Sequence, residues 1–214
     1  MDRRPLQTRQ HAWARRLAAG LVKSGLTPNG VSAIGILFAA GAGGLLWAYG
    51  DCPWALLAAA ACIQLRLLCN MLDGLMAVEC QAGNATGCLF NEAPDRAEDA
   101  LILIGAGYAT GHWWLGWLAA LLAANTAYVR VFGGSVGLKQ DFSGWGSKPR
   151  RMFWVTVTCL TAAVCQGFGA NPAWEVMLWG MVWTTALTAG TLCGRILRIY
   201  NRLKAKGAGG TDGT

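Results

Sequence analysis

Long segments without a single charged residue are the feature that most limits the folds open to this chain. An α-helix needs about 20 predominantly apolar residues to cross a bilayer. Of the 214 residues, 54% are hydrophobic and only 14% are charged. The composition and the segments together predict an all-α membrane protein. The uncharged segments are residues 24–50, 52–65, 100–129, 152–174 and 176–194.

Two adjustments turn these segments into six membrane-spanning helices. The second segment continues through Arg66 and Asp73 to about Val78, so it is long enough to span with polar residues near one end. The third is too long for one helix, so a turn is predicted at 109–114 and the third span begins near Gly87. The predicted spans are 28–49, 54–78, 87–110, 113–133, 152–169 and 174–197.

The segments outside the spans have their own predictions. Residues 8–24 are expected to form an amphipathic helix on the membrane surface, with Trp13, Leu17 and Leu21 on one side. A disordered basic leader is the alternative for the same residues. Thr27-Pro28 is typical of a helix start. A single domain is predicted over residues 1–206, followed by a disordered tail at 207–214.

The basic residues predict the orientation. The chain carries 18 Lys and Arg residues and a net charge of +7, and with six spans all 18 fall on or near one side of the membrane. The positive-inside rule then places both termini on the cytoplasmic side of the cell inner membrane. The charge is therefore attributed to topology and to attraction by anionic membrane lipids, and nucleic-acid binding is not expected.

Polar residues interrupt the apolar sequence at the end of the second span and the start of the third. An ionisable group at membrane depth costs roughly 2.5–3.5 kcal/mol, so it indicates a function. Small residues nearby, Gly74, Ala77 and Gly87, predict a close approach of the two helices. A cluster of carboxylate and amide oxygens suits Mg²⁺ or Mn²⁺ rather than zinc. The predicted metal ligands are Asn70, Asp73, Asn91 and Asp95.

The spacing of these residues resembles a known signature. The sequence Asn70-x2-Asp73-Gly74-x2-Ala77-Val78-x8-Gly87-x3-Asn91-x3-Asp95 keeps every interval of D-x2-D-G-x2-A-R-x8-G-x3-D-x3-D, the motif of the CDP-alcohol phosphatidyltransferase family. The six spans and the Pro28-Asn29 start of the first span also resemble that family.

The resemblance implies a reaction and a set of partners. A phosphatidyl group would pass from CDP-diacylglycerol to a small alcohol, such as glycerol 3-phosphate or an inositol phosphate, releasing CMP with the help of Mg²⁺ or Mn²⁺. The chain would act as a homodimer in phospholipid biosynthesis. By position, Asp95 matches the catalytic base of the family, or positions the acceptor hydroxyl. The resemblance implies that Gly74, Ala77, Thr86 and Gly87 contact the CDP-lipid.

Three departures from the motif affect the metal site. Asn70 and Asn91 replace aspartates and Val78 replaces arginine, so the formal charge of the four ligand positions falls from −4 to −2. Glu92, Glu98 and Asp99 are close enough in sequence to restore some of that charge. Arg66 is expected to project into the same cavity and to bind the CDP-lipid. Two hypotheses stay open: two metals, one weakly bound, or one metal that holds the pyrophosphate together with Arg66.

A second group of basic residues is a candidate site for a phosphorylated acceptor. Arginine is favoured for bidentate contact with phosphate, but topology alone also places basic residues at cytoplasmic span ends. Arg130 is the strongest candidate, because a charge inside a span requires a reason. The predicted acceptor-phosphate residues are Arg130, Lys148, Arg150, Arg151 and Arg195.

Three other functions remain as alternatives. The first donates a CDP-linked headgroup to a lipid alcohol at the same metal site. The second is a catalytically impaired relative that binds a CDP-lipid, because two motif aspartates are absent. The third is a small cation transporter, which requires polar residues that continue to the far face, and the third to sixth spans offer almost none.

Overall fold

The computed structural model describes residues 12–49, 52–79, 85–169 and 172–208, without the side chains of residues 78, 79, 85–91, 207 and 208. Throughout this part of the chain the regular structure is helical. The helices are α1 (Ala12–Lys23), α2 (Pro28–Trp47), α3 (Pro53–Glu79), α4 (Ala85–Ala109), α5 (Trp113–Ser135), α6 (Lys148–Gly167) and α7 (Ala173–Ala208).

Helices α2 to α7 pack in a closed ring. Neighbours around the ring follow the order α2, α3, α6, α7, α5, α4, and α4 then returns to α2. Each of the six helices contributes a large side chain to the apolar interior. Those residues, all at most 3% exposed, are Leu46, Leu56, Ile102, Leu115, Met152 and Met177.

Four of these helices, α2, α3, α5 and α7, are long and apolar enough to cross a membrane. The all-helical membrane architecture is therefore confirmed. Helices α4 and α6 have 25 and 20 residues, but charged residues lie in the first part of each, from Glu92 to Asp99 in α4 and from Lys148 to Arg151 in α6.

Local sequence explains where several helices begin and end. The hydroxyl oxygen of Thr27 accepts a hydrogen bond from the backbone N–H of Gly30 at 3.1 Å, and Pro28 follows in the first turn. The predicted turn between the third and fourth spans is confirmed: Gly111 has a φ of +72°, which a glycine adopts without strain. The Thr110 hydroxyl accepts from the backbone N–H of His112 at 3.0 Å.

Two helices extend beyond the predicted spans. Helix α6 begins at Lys148, whereas the predicted span begins at residue 152. A span predicted from hydropathy ends where charged residues begin, but a helix can continue through charged residues whose side chains point into the bundle. Helix α7 continues to Ala208 rather than ending near 197, so residues 207 and 208 are not part of a disordered tail. Residues 209–214 of that predicted tail and residues 8–11 of the predicted surface helix lie outside the described part of the chain.

Helix α1 packs on the second half of α3. Ala14 and Ala18 are fully buried and belong to a cluster with Leu72 and Met76 of α3. Trp13 and Leu17 are 52% and 41% exposed. Small residues thus face the bundle and large apolar ones face outward.

The close approach of α3 and α4 through Gly74, Ala77 and Gly87 stays a prediction, because residues 85–91 of α4 are described without their side chains. Within the described residues, α2 packs against both helices, whereas α3 and α4 do not pack closely on each other. Gly35 of α2 lies between them: a methyl group there would be 2.9 Å from Glu98 Oε1 and 3.4 Å from Cys69 Cβ. The reason is that long charged side chains fill the space between α3 and α4.

Candidate active site

Charged side chains from five helices meet at one end of the bundle. Successive helices run in opposite directions, so this end contains the beginnings of α4 and α6 and the ends of α3, α5 and α7. We call it the site end. The charged residues that form ion pairs there are Arg66, Glu92, Asp95, Arg96, Glu98, Asp99, Arg130, Asp141, Lys148, Arg151 and Arg198.

Asp73, in the second half of α3, accepts a hydrogen bond from a residue of α2. The Ser32 hydroxyl donates to Asp73 Oδ2 at 2.7 Å, and Asp73 is only 4% exposed. The other carboxylate oxygen, Oδ1, is buried without a hydrogen-bond partner. A buried carboxylate oxygen without a donor is costly unless a cation or another donor reaches it.

Arg66 is fully buried between α3 and α4. Its Nε donates to Glu98 Oε2 at 2.6 Å, and its Nη2 donates to Asp99 Oδ1 at 2.8 Å. The same Nη2 lies 3.9 Å from Asp95 Oδ1, and Nη1 has no partner. Arg66 therefore links three carboxylates of α4 to α3.

Helix α6 supplies two further cations to the same carboxylates. Arg151 Nη2 donates to Asp99 Oδ2 at 2.5 Å, and its Nη1 donates to the Gly146 carbonyl oxygen at 2.8 Å. The Lys148 ammonium group pairs with Asp95. Three cations, Arg66, Lys148 and Arg151, thus face three carboxylates. We call these three cations, together with the carboxylates of Asp95, Glu98 and Asp99, the ion network.

Asn70 connects to this network as a hydrogen-bond donor. Its side-chain nitrogen donates to Glu98 Oε2 at 3.1 Å. The amide is thereby oriented so that its carbonyl oxygen remains available as an acceptor.

The donors present fit a hard divalent cation at the predicted position. Asp73 offers the unpaired Oδ1, and Asn70 offers a neutral carbonyl oxygen. Asp95 is already paired with Lys148, and the side chain of Asn91 lies outside the described residues. Among the described side chains, no three His, Cys, Asp or Glu residues group closely enough to hold a metal. The convergence of all four predicted ligands stays a prediction.

The five predicted acceptor residues separate into three places. Lys148 and Arg151 belong to the ion network. Arg130 and Arg195 contact the segment 140–143 that precedes α6. Arg150 is on the outside, over the Trp145 ring at 4.5 Å.

Arg130 and Arg195 are anchored firmly. Arg130 Nη2 donates to both carboxylate oxygens of Glu92, at 2.6 and 2.7 Å, and the guanidinium carbon lies 5.0 Å from the centroid of the Phe142 ring. Arg195 Nη1 donates to the Thr126 carbonyl oxygen at 2.7 Å, and its Nη2 donates to the Ser143 carbonyl oxygen at 3.0 Å. Both guanidinium groups therefore border the same loop.

Asp141 fixes that loop to α7. Arg198 Nε donates to Asp141 Oδ2 at 2.7 Å, and the backbone N–H of Ser143 donates to Oδ1 at 2.8 Å. Burial raises the pKa of Asp141, but these hydrogen bonds and the positive charge of Arg198 outweigh it and bring the pKa below its usual value. The carboxylate therefore stays ionised, and the loop stays attached, at neutral pH.

Two of the predicted CDP-lipid residues, Gly74 and Ala77, follow Asp73 on α3. Gly74 is buried and Ala77 half-buried in the last turns of α3. Thr86 and Gly87 are in the first turn of α4, and the Thr86 side chain lies outside the described residues. Their contact with a CDP-lipid stays a prediction.

Sequence reasoning missed several residues of the site. Ser32 could have been found, because it is a polar residue within an apolar span, one turn after Pro28. Gly35 and Gln140 carried no local signal. The carboxylates expected to restore charge to the metal site all form ion pairs: Glu98 and Asp99 pair with Arg66 and Arg151, and Glu92 pairs with Arg96 and Arg130.

The chain has relatives among known proteins, although no family model matches it. It is 29% identical over 204 residues to the phosphatidylinositol phosphate synthase of Mycobacterium marinum, covering 90% of this chain and 80% of the relative. It is 28% identical over 204 residues to the phosphatidylinositol phosphate synthase of Mycobacterium tuberculosis, covering 90% and 86%.

Solved structures agree with these relatives. The crystal structure of the Mycobacterium tuberculosis phosphatidylinositol phosphate synthase with manganese and citrate matches at a TM-score of 0.71 and 22% identity, over 87% of this chain and 88% of that one. The structure of the same enzyme with CDP-DAG bound matches at 0.68 and 22%, over 87% and 93%. The chain has the fold of that enzyme.

Proposed function

We propose that the chain is a metal-dependent phosphatidyltransferase that joins CDP-diacylglycerol to an inositol phosphate and releases CMP. The observation that carries the proposal is Asp73, whose buried and unpaired Oδ1 lies at the end of the bundle where the cationic side chains gather. The names of the relatives support an inositol phosphate as acceptor.

All six long helices are proposed to span the inner membrane, with the site end on the cytoplasmic side. The charges of α4 and α6 support this, because Glu98, Asp99 and Arg151 are at most 2% exposed and do not meet lipid. At the opposite end, large aromatic side chains are 45–57% exposed, as expected of a belt at the membrane interface. They are Trp113, Trp114, Trp117 and Trp174.

The cation would be held by Asp73 and Asp95 with the amide oxygens of Asn70 and Asn91. A bound Mg²⁺ or Mn²⁺ would neutralise the negative charge that develops on the departing CMP. Asp73 and Ser32 fix one side of this site from α3 and α2.

The remaining residues bind and orient the two substrates. Asp95 accepts the hydrogen bond of the acceptor hydroxyl and positions its oxygen against the phosphorus that carries diacylglycerol. The new oxygen–phosphorus bond replaces the bond to CMP, and the hydroxyl proton leaves to solvent. Arg130 and Arg195, with Lys148 and Arg151, are proposed to hold the acceptor phosphate. The glycines 74 and 87 allow the nucleotide to approach the backbone closely.

Two chains are proposed to form a homodimer, as the family resemblance implies.

Release of CMP from CDP-diacylglycerol by the purified protein tests the proposal. Mg²⁺ or Mn²⁺ should be required, and an inositol phosphate should be used faster than free inositol or glycerol 3-phosphate. A preference for glycerol 3-phosphate would overturn the acceptor but not the transfer. CDP-lipid binding without CMP release from any acceptor would favour the impaired relative, and metal-independent release would overturn the mechanism.

A further inference from the structure

The pair formed by Asn70 and Glu98 is specific to this chain's departure from the motif. Glu98 is fully buried, and its Oε2 accepts from Arg66 Nε at 2.6 Å and from Asn70 Nδ2 at 3.1 Å. Its other oxygen, Oε1, has no partner and lies against Gly35. Glu98 therefore depends on the amide at position 70 for one of its two donors.

A carboxylate at position 70 is incompatible with this arrangement. An aspartate there would remove a donor and bring a second negative charge to about the 3.1 Å separation that the amide now occupies. Two carboxylates at that distance do not both ionise readily in a buried site. Gly35 closes the opposite side, so Glu98 has little room to move away.

The charge of the surroundings also limits the number of cations. The ion network contains three positive and three negative groups, and Asp73 adds one negative charge, so the seven side chains sum to −1. One divalent cation would bring the sum to +1, whereas two would bring it to +3 in a largely buried site. Uncompensated charge of that size is strongly unfavourable in a low-dielectric environment.

We propose that Asn70 and Glu98 are a matched pair that replaces the carboxylate at the first motif position, and that the site consequently binds one divalent cation per chain. The inference rests on the proposed function only for the location of the cation. Of the two hypotheses that the sequence leaves open, the matched pair favours a site with one metal over a site with two.

Exchanging the amide and the carboxylate between positions 70 and 98 tests whether Asn70 and Glu98 are a matched pair. The variants are Asn70→Asp, Glu98→Gln and the double variant, which carries the same total charge as the wild type. Thermal unfolding of the metal-free protein in detergent should show a large loss of Tm in Asn70→Asp. Adding Glu98→Gln should recover at least half of that loss, because the introduced glutamine amide can donate to the introduced carboxylate. The control Asn201→Asp, exposed near the end of α7, should leave Tm unchanged.

Additive losses in the double variant, or an unchanged Tm in Asn70→Asp, would overturn the pairing. If Asn70→Asp cannot be purified, recovery of a purifiable protein in the double variant counts as support, and its failure counts against.

Mn²⁺ titration followed by electron paramagnetic resonance tests the number of bound cations without substrate or turnover. The wild type should bind one Mn²⁺ per chain, and two would overturn the inference. An active enzyme with two bound Mn²⁺ would leave the proposed function intact. One bound Mn²⁺ without CMP release would leave the pair intact and remove the proposed function.

Discussion

The two ends of the helix bundle are held together by different interactions. At the site end, the helices are joined by ion pairs such as Arg66–Glu98 and Arg151–Asp99. At the far end, they are joined by direct backbone contact: a methyl group on Gly107 of α4 would lie 2.5 Å from the Gly116 Cα of α5. At the site end, charged side chains fill the space between the helices. At the far end, the helix backbones touch and leave no such space.

The difference shows how a membrane protein keeps a polar site. Small residues allow close packing that needs no polar group in lipid. Buried charges contribute little net stability, but removing one partner leaves the other unpaired at a high cost. Substitutions at the site end should therefore affect chemistry and stability differently, and the following predictions separate the two.

The largest effect is expected on turnover. Asp95→Asn removes the carboxylate that positions the acceptor hydroxyl, and CMP release should fall about 10²–10⁴-fold. The Asp95 side chain is 17% exposed, and an asparagine keeps an oxygen that can accept a hydrogen bond from Lys148, so the folded protein should survive the change. The measurement is the initial rate of CMP release, with Tm as the control. Full turnover in this variant would remove Asp95 from the mechanism.

The next effect is on stability. Among the described residues, Arg66→Met removes the only cation paired with the buried Glu98, leaving it the Asn70 amide alone, and removes one of the two arginines paired with Asp99, which should cost about 3–5 kcal/mol. Thermal unfolding measures it, and Arg202→Met, at an exposed position of α7, is the control. Loss of activity in this variant cannot by itself show that Arg66 holds the pyrophosphate. Arg66→Lys keeps the charge, so lost CDP-lipid binding at wild-type Tm would support that role.

A smaller effect is expected where α2 crosses α4. Gly43→Ala places a methyl group 2.5 Å from the Leu101 carbonyl oxygen, and overpacking of this kind costs about 1–3 kcal/mol. Its neighbour Gly44 has nothing within 4 Å of the same added methyl group, so Gly44→Ala is a matched control. Equal Tm values for the two variants would contradict the close crossing. CMP release per folded protein should be unchanged in both.

The sequence predicted the helices well because hydropathy and helix caps are local signals. The pattern placed the turn after Ala109 and the start at Pro28, and motif spacing singled out Asp73 and Asp95. The neighbours of each helix in the ring depend on tertiary packing, which no local pattern encodes. The pairing of Ser32 with Asp73, and the position of α2 between α3 and α4, could not be predicted for that reason.

The beginning of α6 shows the same limit from another direction. A span was predicted from residue 152 because charged residues end an apolar run, yet Lys148 and Arg151 are helical and turn toward Asp95 and Asp99. Hydropathy records that a residue is charged but not which way its side chain points. The partners on α4 explain why these charges are tolerated.

The smallest effect is expected at Ser32, where a single hydrogen bond joins α2 to Asp73 of α3. Ser32→Ala removes the donor to Asp73 Oδ2 and leaves the buried carboxylate free to rotate away from the cation site. Loss of a hydrogen bond that supports a metal ligand should weaken Mn²⁺ binding about tenfold. Ser32→Thr keeps the hydroxyl and should restore the affinity, measured by the same Mn²⁺ titration. Ser32→Ala also leaves Asp73 Oδ2 without its donor at a buried position, so Tm should fall moderately, by less than in Arg66→Met. A wild-type Mn²⁺ affinity in Ser32→Ala would mean that α2 supports the site by packing alone.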